Sequence, residues 1–197
     1  MMSKADQTKQ FIIEKAAPIF NKKGFAATSM NDILDATGLA KGGVYGNFDS
    51  KEDVALKAFD YANQRLMTAL DEKVGKEGSA ANKLIAFFNF YHNYSIYPIL
   101  EGGCPLLNTA IDSDFNFPAL KEKAAIALKK MLGSLESIIS KGIENKEFRK
   151  KINPKAEAIL IFSVIEGAMM MSRLHNEPKY LNDLLVHLRK HCKTYRK

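Results

Sequence analysis

Apolar positions recur every three to four residues along most of the 197-residue chain, and no convincing run alternates at the period of a strand. The pattern predicts an all-α chain of about nine helices with no internal repeat. The first runs from about Ala5 to Lys23, with Phe11, Ile12, Ala16, Ile19 and Phe20 on one face and Gly24 as its stop. Pro18 inside it is expected to kink the last turns or to free the carbonyl of Glu14. Ser29-x-x-Asp32 has the capping-box form and opens a second helix, which buries Ile33 and Leu34 before Gly38 ends it. A short third helix covers about Lys41 to Asn47. Ser50-x-x-Asp53 then caps a fourth, carrying Val54, Leu56, Ala58, Phe59, Leu66 and Leu70. Beyond the charged stretch DEKVGKEGSAAN (71–82), helices are expected over about 82–96, after Pro105, and over about 118–145, 154–175 and 178–193. Pro98, Pro105, Pro118, Pro154 and Pro178 punctuate these junctions, as prolines at or near helix starts do.

The passage GLAKGGVYGNFDSKED (38–53) carries the first chemistry. Three short helices within 50 residues, the second and third joined by a tight Gly38-Leu39 turn, describe a helix-turn-helix. Leu39, Val44 and Phe48 are spaced to pack inward, which leaves Lys41, Gly42, Gly43, Tyr45 and Gly46 outside. Each glycine inside a helix costs roughly 1 kcal/mol relative to alanine. A helix that must lie close to bases and phosphates in a major groove has a reason to be so thin. Lys51, in the first turn of a helix, opposes the macrodipole, unless lysine and helix end attract one phosphate together. Thr28, Ser29, Tyr45 and Lys22 or Lys23 are expected as further backbone contacts, and Lys41 and Asn47 as candidates for reading bases. The competing reading leaves Tyr45 and Lys51 as ordinary surface residues and the glycines as turns. A phosphate-binding P-loop is excluded, since no Gly-Lys-Ser/Thr follows and no strand precedes.

Charge adds less. The net +7 is suggestive of nucleic acid, but residues 1–50 hold six Lys/Arg against five Asp/Glu. The excess lies in residues 121–155, ten against four, and 175–197, six against two. The polar start MMSKADQTKQ is followed by no apolar run, which argues against a secretory signal. The most apolar stretch, AEAILIFSVIEGAMMM, carries Glu157 and Glu166 and falls short of the roughly 18 uninterrupted apolar residues a span needs. Two distant cysteines fit a reducing, cytoplasmic setting.

The segment FAATSMNDILDATGLAKGGVYGNFDSKEDV resembles the DNA-binding signature of TetR-family transcriptional regulators. The likeness spans about residues 8–60: IFNKKGF at the end of the first helix, the TS…DI start, the TGLAKG turn, Tyr45 and Phe48, then SKED. Two departures stand out. Leu34 replaces the usual small alanine, and Gly43, Gly46 and Asn47 replace the commoner Thr, His and Tyr, which thins base readout. The resemblance implies a DNA-binding domain over 1–50 and a ligand-binding and dimerisation domain over 51–197.

The carboxy-terminal half supports that division on its own residues. Ile159, Ser163, Gly167, Met170 and Leu174 form one face of a helix, small or flexible enough for close helix–helix contact. Leu181, Leu184, Leu185, Leu188 and Cys192 form an apolar stripe on the last helix. Both are expected in a homodimeric four-helix interface, the competing reading being a monomer core. For a pocket, FFNFYHNYSIY (87–97) supplies Phe87, Phe90, Tyr91 and Tyr94. Facing candidates are Leu107, Asn108 and Ile111, Met131 and Leu135, and Phe162, Ile165, Glu166 and Met169. Such a lining suits an apolar or aromatic effector, although each residue taken singly also fits a core. Pro105 places Cys104 at a helix N-cap, where the dipole eases ionisation; the thiol is a candidate oxidant or electrophile sensor beside the pocket, or simply a small residue at a tight start.

His187 and His191 are spaced as a possible metal pair, but no supporting ligand follows, so no metal is expected. No triad, paired carboxylates or zinc-hydrolase arrangement is evident, and neither enzymatic activity nor a cofactor is expected. The sequence thus predicts a cytoplasmic, homodimeric, ligand-responsive repressor of a palindromic operator in double-stranded DNA. The alternatives are an inducer-free architectural DNA-binding protein and an all-α small-molecule carrier.

Overall fold

Capping side chains set where most of the helices begin. In the computed structural model, which describes residues 3–113 and 117–196, Ser3 and Asp6 form a reciprocal capping box at the start of α1 (Lys4–Ala27). Ser29 and Asp32 do the same for α2 (Met30–Thr37), Asp32 N–H donating to Ser29 Oγ at 3.1 Å and Ser29 N–H to Asp32 Oδ2 at 2.7 Å. Next come α3 (Lys41–Tyr45) and α4 (Lys51–Val74), whose Asp53 N–H donates to Ser50 Oγ. Ser79 caps α5 (Ala80–Ile96), and Pro105 opens α6 (Pro105–Asp112). After α7 (Pro118–Glu144), Asn153 caps α8 (Pro154–His175), and α9 (Lys179–Lys193) follows. Nine helices and no strand lie among the described residues. The break in α1 falls at Gly24 (φ 79°), not at Pro18. Gly38 closes α2 in the left-handed conformation (φ 67°), its N–H donating to the Leu34 carbonyl, which is the geometry glycine tolerates best.

The chain divides into two compact units that are not contiguous in sequence. One comprises residues up to Leu66 with Ile99–Ala127; the other comprises Met67–Pro98 with Leu128 onward. In the first, Ile12, Ala16, Ile33, Val44, Phe48, Val54 and Ala58 form the core, with Leu34 and Leu39 packed against it. Burying a side chain such as Val44 or Phe48 stabilises the fold by about 1.5–3 kcal/mol each. A polar hub fixes α1 to α6. Asn21 donates to the carbonyls of Glu101 (2.8 Å) and Gly103 (2.9 Å). Asn108 donates to Asn21 O (3.0 Å), Asn21 Oδ1 (3.1 Å) and Gly102 O (2.7 Å). Gly102 sits at φ +105°, and a Cβ there would lie 2.7 Å from Asn21 O, so only glycine allows this approach. Asp112 accepts the Phe25 N–H, and the Phe25 and Phe117 rings lie 4.3 Å apart.

In the second unit the buried faces of α5, α7, α8 and α9 supply Leu84, Phe87, Phe88, Tyr91, Met131, Leu135, Ile139, Ile161, Ile165, Leu181 and Leu185. His92 Nδ1 lies 2.7 Å from Asn182 Oδ1, and Arg189 donates to Asn89 Oδ1 at 2.6 Å, tying α5 to α9. The chain end folds back: the buried Tyr195 hydroxyl donates to Glu157 Oε2 at 2.6 Å, and the Arg149 N–H donates to the Tyr195 carbonyl. By length and mean hydropathy (1.3), α8 is apolar enough to cross a membrane, which the count of uninterrupted apolar residues did not suggest. In this fold 44% of that window is buried, with Glu166 on the inward side.

Candidate nucleic-acid interface and effector chamber

The turn Gly38-Leu39-Ala40 presents α3 with Val44 fully buried and, just beyond it, Phe48 buried as well. Lys41, Gly42 and Tyr45 point outward, Tyr45 with 51% of its surface exposed. The three glycines have different reasons. A Cβ on Gly42 would meet nothing within 4 Å, so packing does not explain its missing side chain. A Cβ on Gly43 would lie 3.3 Å from Leu39 Cβ, and one on Gly46 only 2.8 Å from the Gly42 carbonyl. Gly46 is therefore required by its own helix end, whereas Gly42 leaves room for a surface to approach.

Several expected phosphate contacts have other partners. Thr28 is buried, its hydroxyl donating to the Gly24 carbonyl at 2.6 Å, so its side chain is closed to DNA. The Lys51 ammonium donates to the carbonyls of Phe25 and Thr28, both at 2.9 Å, and lies 4.2 Å from the Phe25 ring centroid. It satisfies carbonyls at the end of α1 from a half-buried position. Asn47 is half-buried and donates one amide N–H to the Gly43 carbonyl at 2.8 Å. Lys22 pairs with Glu101 at 2.5 Å and Lys23 with Asp32 at 2.6 Å. The Lys23 ammonium and the Ser29 N–H and hydroxyl hold the Asp32 carboxyl well below the usual carboxylate range. The outward set at this face is thus Ser29, Lys41, Gly42 and Tyr45, with Gly43 half-exposed.

In the second unit the aromatic candidates are brought together. Phe87 and Tyr91 ring centroids are 5.0 Å apart, Phe90 and Tyr94 stack at 5.9 Å, and Tyr91 meets Phe162 edge-on at 6.4 Å. Met131, Ile165, Glu166 and Met169 are buried in the same unit. Cys104, Leu107 and Asn108 instead belong to the first unit, where the Asn108 amide holds Asn21. Cys104 does stand at the α6 N-cap and is 2% exposed. Ile111, in the first unit, is 68% exposed.

The proposed interface helices also separate. On α8, Ile159, Ser163, Met170 and Leu174 are exposed and Gly167 half-exposed, together with Leu160. On α9, Leu181 and Leu188 are buried in their own unit, Leu184 is half-buried, and Val186 is the exposed apolar residue. The α9 stripe therefore packs inward, because it completes this unit's own core. His191 Nε2 lies 2.9 Å from the Glu157 oxygen that also accepts Tyr195, while His187 is exposed. Sequence reasoning missed the Asn21–Asn108 hub; its signal was Asn21 continuing the inward series Ile12, Ala16, Ala17.

Residues 12–58 match the family model for bacterial regulatory proteins of the tetR family, and residues 80–188 match that for the tetracyclin repressor-like C-terminal domain. A TetR transcriptional regulator from Chloroflexus aurantiacus is 34% identical, with a TM-score of 0.94 over 99% of this chain and 98% of that one. A TetR-family transcriptional regulator from Cytophaga hutchinsonii is 36% identical, with a TM-score of 0.91 over 100% and 98%. The HTH-type transcriptional regulator in the lacX 3' region of Lactococcus lactis is 27% identical over 85% of this chain and 84% of its own. With both of its regions matched and its α3 presented on a helix-turn-helix, the chain belongs to the TetR family of transcriptional regulators.

Proposed function

We propose that this protein is a cytoplasmic, ligand-responsive repressor that binds a palindromic operator as a homodimer. The observation that carries the reading is α3 itself. Its inward residues are anchored in the core, while Lys41, Gly42 and Tyr45 form an outward surface thin enough for backbone to approach a major groove. The exposed apolar stripe of Ile159, Leu160, Met170 and Leu174 on α8 is the face for a second copy. Two copies would place their recognition helices in successive major grooves, about 34 Å apart.

The effector, an apolar or aromatic small molecule, would enter among Phe87, Phe90, Tyr91, Tyr94, Phe162, Ile165 and Met169, with Glu166 as the polar group that orients it. Opening that packed chamber would displace α4, which contributes residues to both units and whose start is fastened to α1 by Lys51. The effector releases DNA only in proportion to its preference for the displaced state. A mobility-shift titration with the DNA upstream of its own gene tests the reading. Sequence-preferred binding at moderate salt is expected; equal binding to any duplex would remove it.

A further inference from the structure

The second unit holds a cavity whose lining is separate from the DNA face and from the aromatic cluster of Phe87, Phe90, Tyr91 and Tyr94. It is an open concavity of about 250 Å³ between α5, the end of α9 and the segment after α7. Its floor is apolar, made by Leu84, Ile85, Phe88 and Phe148, and its rim is cationic, carrying Arg189, Lys193 and Arg196 with no carboxylate in the lining. Glu147 and Glu157, in the same unit, have partners of their own. Glu147 accepts the Ala80 and Ala81 N–H groups at the start of α5, and Glu157 accepts Tyr195 and lies against His191. The floor is also rigid. Phe148 is fully buried, seated against Gly142, where any Cβ would overlap its ring, and met edge-on by Tyr195 at 5.6 Å. Cys192 in the wall is held as a neutral thiol, since burial pushes it up to about 12, so the site's positive potential is not cancelled there.

A preformed apolar bowl ringed by one sign of charge is complementary to one kind of small molecule: an apolar body with a single anionic head. We infer that this cavity is a second ligand site, for a medium-chain or aryl carboxylate, with the apolar body against Ile85, Phe88 and Phe148 and the carboxylate between Arg189 and Lys193. Carboxylate recognition by a guanidinium is geometrically specific, and Arg189 retains donors beyond the one given to Asn89. The size agrees, because the volume lies just below the roughly 300 Å³ at which pockets for drug-sized ligands begin. This assignment does not depend on DNA binding.

Isoleucine-methyl NMR of the full chain, titrated with octanoate, octylamine and octanol, tests it, with the Ile85 and Ile165 signals assigned by Ile→Val substitution. Octanoate is expected to shift Ile85 saturably while Ile165, in the aromatic chamber, stays in place. Octylamine and octanol should need at least tenfold more ligand. The double variant Arg189→Gln/Lys193→Gln, with its melting temperature checked, should weaken octanoate at least tenfold and leave octanol unchanged. The inference is overturned by an Ile85 signal indifferent to octanoate, by saturation at Ile165 alone, by octylamine acting as strongly, or by a double variant that binds octanoate as tightly as the wild type.

Discussion

Lys51→Ala distinguishes a lysine that holds the DNA-binding unit together from one that touches DNA. The substitution removes two charge-assisted hydrogen bonds, to the Phe25 and Thr28 carbonyls, and a cation–π contact with Phe25. Hydrogen bonds to a charged group contribute about 1.5–3 kcal/mol each, and such a cation–π contact about 0.5–1 kcal/mol. The parts do not add, since Lys51 is only half-buried and water can reach the carbonyls it leaves. Removing a cation from the first turn of α4 also returns about 0.3–1 kcal/mol. The net loss is about 2 kcal/mol. For a chain of this length that lowers the melting temperature by about 4–8 °C. Thermal unfolding followed by circular dichroism reads the stability, and operator titrations across a range of salt read the phosphate contacts. The variant should be less stable while its salt dependence keeps the wild-type slope. Unchanged stability with a slope smaller by about one unit, the signature of a lost phosphate contact, would refute the reasoning.

Three further outcomes follow from the same structure. Tyr45→Ala, at an exposed position outside the core, should leave the melting temperature within about 1 °C yet weaken every operator variant alike, about tenfold in mobility-shift titrations; a sequence-selective loss would make Tyr45 a base reader. Asn108→Ala deprives Asn21 O and Gly102 O of their donor, and chemical denaturation should register a loss of about 2–3 kcal/mol without any new ligand affinity. Met170→Glu with Leu174→Glu places two charges on the exposed α8 stripe, and sedimentation should find monomers that retain the wild-type helical circular dichroism.

Helix boundaries were legible because they are local. The Ser29–Asp32 box, the Ser50–Asp53 cap, the Gly38 stop and the prolines at 105, 118 and 154 each act within four residues of the end they define. The burial pattern of α3 was legible for the same reason, since helical spacing alone puts Val44 inward and Lys41 and Tyr45 outward. What sequence could not reveal was each polar atom's partner. Lys51 meets carbonyls 23 and 26 positions away, and nothing in its spacing separates that from a phosphate. Periodicity likewise assigned Leu181 and Leu188 to one face without saying whose core it fills; the fold fills its own. The cationic rim at Arg189, Lys193 and Arg196 lies over residues some hundred positions earlier, so only folding brings the bowl and its charges together.

Selection of bound duplexes from a random pool by the wild-type protein tests the central claim, that paired α3 helices read an operator, most directly. Enrichment of an inverted repeat whose half-sites lie about one helical turn apart is expected, and it should be lost when Lys41 and Tyr45 are both replaced by alanine. Recovery of sequences with no shared motif, or of a motif that persists in that double variant, would contradict it.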